Sequence, residues 1–215
     1  MQSSNKNAIS AKLSSKKLTS RSSEIVIPSL KVEADYRIIG KNGERKGIIE
    51  CACFVKQFGQ LLHMMFGGLY EYSIKDTAGA IKTPSGDSTD YTALRCTAPA
   101  AVDTYGIVVG LDNTAVDIAD YALASKCANG AGANEFNYGG PVSFNISSDA
   151  ASNSVIVTRT FANNSGSDIT VKEIGLIVYN SAGYFLILRD IIANPGLTVV
   201  TTEELTVNYK IKAIA

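Results

Sequence analysis

The residues able to do chemistry are few. The sequence holds one histidine, His63, and four cysteines, Cys51, Cys53, Cys96 and Cys127. A Ser/His/Asp or Cys/His arrangement needs an imidazole with an orienting partner, and one histidine lying among apolar helix positions does not supply it. No G-x-S-x-G elbow is present. The cysteines offer one C-x-C pair and two isolated thiols with no histidine nearby, which is not a zinc pattern, so they read as small buried apolar side chains. Asp112, Asp117 and Asp120 miss the spacing of a calcium loop and lack its glycine and terminal glutamate, leaving turn and cap duty. The glycine-rich "CANGAGANEFNYGG" matches neither phosphate-loop pattern and reads as a flexible surface loop. Arg159, Glu173, Arg189 and Asp190 stand inside strand-like runs, where pairing across neighbouring strands or subunits is expected. The acceptor triplets beginning at Asn145 and Asn163 carry no weight without a secretory signal. The expectation is therefore a non-enzymatic protein with no catalytic residue, cofactor or metal site.

The rest of the chain must then be read for what it builds. At 215 residues it is long enough for one large domain with an extended arm, and for a core that needs no disulfide or metal. Charged residues make up only 19%, and Lys plus Arg equals Asp plus Glu at 20 each. The whole chain thus has no net field with which to gather nucleic acid or an anionic membrane. No apolar run is long enough to span a bilayer and the N-terminus lacks the apolar core of a secretory signal, so the expectation is a protein made or assembled in the cytoplasm.

The charge balance hides a division. "MQSSNKNAISAKLSSKKLTSRSS" carries Lys6, Lys12, Lys16, Lys17 and Arg21, many serines and no acidic residue. Such a stretch cannot bury enough apolar area to fold alone, and reads either as a solvated tail or as an arm that orders on a partner. Five dispersed cations without aromatic stacking residues are a weak nucleic-acid signature, so a subunit contact is favoured over nucleic acid. Pro28 favours an extended entry into the domain. The expected division is an arm over residues 1–29 and a structural domain over residues 30–215.

From residue 30 the pattern is mainly β. An alternating strand from Leu30 to Ile39, a Lys41-Asn42-Gly43 turn and a strand through Ile48 and Ile49 predict a hairpin. In "CFVKQFGQLLHMMFGG", Phe54, Phe58, Leu61, Leu62, Met65 and Phe66 recur at helical spacing, predicting one short amphipathic helix stopped by Gly67 and Gly68. "LYEYSIKDTAGAIK" predicts another hairpin, "YGIVVGL" a short buried strand, and "DIADYALASK" a short helix with Asp117 as its N-cap. Strands follow over Pro141 to Ser147, Ser154 to Phe161, Ile169 to Tyr179, Tyr184 to Ile192 and Leu205 to Ala213, with "NNSG" and "NSAG" as hairpin turns and "ANPG" as a break. Ile169 to Tyr179 becomes apolar on both faces toward its C-terminal half, which suggests a strand covered on both sides. Many strands at short intervals with few helices predict a β-sandwich or jelly-roll-like domain.

The stretches "VDTYGIVVGLDNTAVDIADYALASKCANGAGANEFNYG", "VTRTFANNSGSDITVKEIGLIV" and "YFLILRD", together with the "FVKQFGQLLHMMF" helix, resemble a group of virion structural proteins of tailed bacteriophages. The resemblance covers about residues 45–210, and the basic arm lies outside it. It implies a β-rich subunit repeated in a virion, whose work is contact with neighbours: a homo-oligomer that also meets capsid, portal, neck or tail proteins. A neck or tail component is the first reading. A capsid decoration protein is the alternative within that class. A carbohydrate- or receptor-binding module is the alternative outside it, disfavoured by the absence of tryptophan but left open by ten tyrosines.

Overall fold

The computed structural model describes residues 29–41, 43–50, 54–67, 73–84, 94–140, 143–149 and 152–214. The five basic residues Lys6, Lys12, Lys16, Lys17 and Arg21, as well as Pro28, Cys51 and Cys53, lie outside the described residues.

The alternating pattern after Ser29 produces two long strands, β1 (Ser29–Gly40) and β2 (Gly43–Ile49), paired as the expected hairpin with Gly40 opposite Gly43. The chain then forms α1 (Lys56–Gly67), a small hairpin of β3 (Ile74–Lys75) and β4 (Ile81–Lys82), and β5 (Gly106–Gly110). β6 (Asn137–Tyr138), β7 (Ser143–Ser148), β8 (Ser152–Ala162), β9 (Ile169–Val171), β10 (Glu173–Asn180), β11 (Gly183–Ile191), β12 (Leu197–Val199) and β13 (Glu204–Ile214) follow. The largest sheet has six strands, ordered β2-β1-β13-β8-β6, with β7 also on β8. A second sheet runs β11-β10-β5, and the pairs β12-β9 and β3-β4 complete the set. Every named strand pairing is antiparallel. The mainly β class read from the sequence is what the chain adopts.

One hydrophobic cluster takes side chains from both larger sheets. Val32, Ala34 and Ile38 of β1 and Leu205, Val207 and Tyr209 of β13 come from one sheet, and Ile107 to Val109, Ile174, Leu176 and Phe185 to Leu188 from the other. The period of two sends Glu33, Asp35, Asn208 and Lys210 to the opposite face of the six-stranded sheet. There Thr158 donates to Asn208 at 2.7 Å, Asn208 donates to Asp35 at 2.6 Å, and Lys210 pairs with the same carboxylate at 2.6 Å.

Several sequence expectations need correction. The buried face of α1 is Gln57, Leu61 and Met64, whereas Met65 and Phe66 are exposed, so the apolar stripe sits about one position from the one read by spacing. Phe54 precedes α1 and its ring stacks on Phe58, extending the apolar pattern beyond the helix itself. Residues 117–126 form turns, not a helix. Asp117 accepts from Ala119 N at 2.8 Å as a cap would, but Asp120 and the amides of Ala124 and Ser125 are drawn to residues of the second sheet. The predicted strand from Ile169 to Tyr179 is two strands in two sheets, broken at Lys172, whose amide turns aside to Gly110 O at 2.9 Å. "NNSG" is not a hairpin turn either. It passes the chain from β8 to β9, in different sheets, with Asn163 Nδ2 donating to Ser167 O and Val199 O at 2.8 and 2.7 Å. "NSAG" does join a hairpin, β10 to β11, and "ANPG" does interrupt the chain, between β11 and β12.

Candidate functional site

The densest group of charged side chains is centred on Arg189. Position 189 of β11 pairs with Gly175 of β10, over which Leu123 and Leu186 pack. Its Nε donates to Glu173 Oε2 at 2.9 Å, Nη1 to Asp120 Oδ2 at 2.6 Å and Nη2 to the Thr114 carbonyl at 3.1 Å. Glu173, fully buried, also accepts the amides of Ser125 at 2.7 Å and Ala124 at 3.1 Å. Burial alone would lower the Arg189 pKa, but Asp120 and Glu173 outweigh it and hold the guanidinium above its ordinary value. Gly110 of β5 makes room: a Cβ there would stand 2.6 Å from both Glu173 Oε1 and the Ser125 carbonyl. The group clamps the irregular segment 111–126 to the second sheet, because Thr114, Asp120, Ala124 and Ser125 of that segment all bond to Glu173 of β10 or Arg189 of β11.

Arg159 of β8 forms a second centre of another kind. No carboxylate among the described residues pairs with it, which corrects the expectation of a cross-strand ion pair. Its Nη1 donates to the carbonyls of Tyr105 and Ile107 at 3.0 and 3.1 Å, and Nη2 to those of Pro99 and Val102. The guanidinium also lies over the Tyr138 ring, 4.7 Å from its centroid. Burial lowers its pKa. Gly106, at φ +84°, lets the loop turn its carbonyls inward around this side chain, in the left-handed region that glycine tolerates.

Asp190 completes the group of strand charges read from the sequence. The Tyr209 hydroxyl of β13 donates to its carboxylate at 2.9 Å, a buried bond between the two larger sheets. Glu173 with Arg189 fulfils the pairing expected across strands. Asp120 and Tyr209 as partners were not legible, because their contacts join segments 69 and 19 residues apart. The sequence signal was an arginine beside large apolar residues in each of two strands, which cannot be buried without acceptors.

The remaining candidates take structural positions. His63 lies on the exposed side of α1. Asp112 accepts from the Thr114 hydroxyl and amide, which together hold its carboxyl below the usual value. Among the described residues no group of three His, Cys, Asp or Glu could hold a metal, and no helix is long and apolar enough to cross a membrane. The glycine-rich stretch is ordered by Gly130 N to Phe136 O at 3.0 Å and Phe136 N to Ala128 O at 3.2 Å, and it delivers Phe136 and Tyr138 to the core. Cys96 and Cys127 are free and buried, as read. A shallow groove of about 440 Å³ crosses the outer face of the six-stranded sheet between Asp35, Arg37, Lys46, Ile48 and Asn208.

The two thiols support a direct test. Burial pushes Cys96 up to about 11 and Cys127 up to about 12, with the Glu173 charge adding to the latter. Native protein at pH 8 is expected to leave both unalkylated by iodoacetamide, and urea-unfolded protein to label both, as read by peptide mass spectrometry. In the unfolded chain these thiols ionise near the ordinary value of a solvated thiol, 9.0. Above that pH the unfolded state sheds protons that the folded state keeps, so stability should fall from about pH 9 upward. Rapid native labelling of Cys127 would contradict its placement.

No family model matches the chain, and no curated protein and no solved structure matches it either.

Proposed function

We propose that the chain is a non-enzymatic structural subunit of a tailed-phage virion, in the neck or tail, that works by self-assembly and by contacts made through residues 1–29. In this reading the two larger sheets form a β-sandwich, and the subunit assembles in the host cytoplasm with copies of itself and with other virion proteins. The observation that carries it is the use of the buried charges. Arg159, Glu173, Arg189 and Asp190 each hold one segment against another, so the polar interior stiffens the domain. A repeated subunit needs that stiffness, since it sets the geometry of its neighbours. The resemblance of residues 45–210 to virion structural proteins supplies the setting.

The test is the copy number per particle relative to the major capsid protein, by quantitative mass spectrometry of purified virions. A ring-like handful of copies is the expected result. Near parity with the capsid subunit would place the chain on the shell as a decoration protein, and complete absence would overturn the virion reading and bring forward a carbohydrate- or receptor-binding module.

A further inference from the structure

The six-stranded sheet is longer than the core that covers it. Register places Ala34, Tyr209, Val157 and Phe144 side by side on the inner face of β1, β13, β8 and β7. The next row toward the β1 start is Val32, Ile211, Val155 and Ile146, and the last is Leu30, Ala213, Asn153 and Ser148. Burial declines across this lattice. Ala34, Tyr209 and Val157 are at most 1% exposed, whereas Phe144 is 52%, Ile146 70% and Leu30 52% exposed. Val155 and Ile211 are half-buried. An apolar end of a sheet face, spread over four strands, is thus left open beside β7, and among the described residues β7 pairs only with β8. Contiguous apolar surface of this kind marks a contact site.

We infer that the occupant of this open end is the segment of residues 1–28, whose apolar side chains would cover Leu30, Val155 and Ile146. Three observations carry the choice. The segment enters the fold at Ser29, next to Leu30, so it begins at the rim of the open face. Its composition fits: Ile9, Leu13, Leu18, Ile25, Val26 and Ile27 are spaced through serines and lysines, enough to cover an apolar patch while the polar remainder stays wet. Three strand spacings separate β1 from β7, about 14 Å, which five extended residues span. The inference names the surface on which the arm of the proposed function would act, and it stands or falls apart from the virion reading.

The test is photo-crosslinking in the purified full chain, with a benzophenone side chain in place of Ile146. That side chain is exposed, so the fold should tolerate it, and a second variant at Phe144 guards against a local effect. Adducts to peptides from residues 1–28 are the expected result. Adducts to strand β7 of a second copy, adducts to any other segment, or no adduct above background would overturn the inference. Mixing isotopically labelled and unlabelled protein separates the two readings. Adducts between chains uphold both the docking site and contact between copies through residues 1–29; adducts only within one chain uphold the docking site and overturn that contact.

Discussion

Arg189→Met is expected to cost about 3–5 kcal/mol of folding stability, because it strands a buried carboxylate without its cation. The Arg189 side chain is 2% exposed and that of Glu173 is 0%, so water cannot replace the lost partner. The two amides donating to Glu173 remain, but they do not neutralise the charge. Segment 111–126 would also lose its tie through Asp120 and the Thr114 carbonyl. Denaturant unfolding measures the effect as a lower midpoint at unchanged slope. The double variant Arg189→Met with Glu173→Met removes both charges, and should recover a substantial part of the loss, since a buried ion pair is often no more stabilising than an apolar replacement. A single-variant cost below about 1 kcal/mol would place the pair in the class of surface bridges and contradict the clamp.

Ile174→Asp is expected to abolish cooperative folding. Ile174 is fully buried, and an uncompensated charge there costs several kcal/mol, comparable to the whole stability of many domains. The register makes the site worse than average. Ile174 stands directly opposite Asp190 on β11 and Val109 on β5, so the new carboxylate would face an existing one across the strand pair. Ile174→Val removes one methylene without a charge and should cost only about 0.5–1.5 kcal/mol, separating the charge from the change in volume. Near-ultraviolet circular dichroism and gel filtration distinguish the outcomes. A soluble Asp variant with native tyrosine signals and a cooperative transition would show that β10 is not the covered strand described above.

What the sequence made legible follows from how local each signal was. The β1–β2 hairpin rests on alternation and an Asn-Gly turn, both contained within about 20 residues, and it formed as read. Buried β5 is a short run whose only requirement is to be apolar, and it too is where the pattern put it. The strand from Ile169 to Tyr179 failed because nothing local marks Lys172 as the point where the chain leaves one sheet for another; that break is set by a bond to Gly110, 62 residues earlier. The helix at Asp117 failed for the same reason, since Asp120 is claimed by Arg189 and the amides of Ala124 and Ser125 by Glu173. The charged centres were visible as members and hidden as a set. Arg159 and Arg189 stood out as cations within strands, but Arg189 found carboxylates and Arg159 only carbonyls, a choice made by loops distant in sequence.

The seam between β1 and β13 has a consequence for how the chain comes off the ribosome. These strands pair along their whole length, Ser29 opposite Ile214 through Ile39 opposite Glu204, and form the middle of the largest sheet. Roughly 160 residues separate the end of one from the start of the other. At synthesis rates of about 5–20 residues per second, β1 waits on the order of 10–30 s for the strand that completes it. Its hairpin with β2 can close early, but its other edge stays open, and β8, which ends at Ala162, lacks its β13 neighbour for about the last 2–8 s of that interval. The central seam of the protein is therefore the last to be sewn, and a nascent chain carries two unpaired strand edges that a chaperone, or a premature neighbour, could seize.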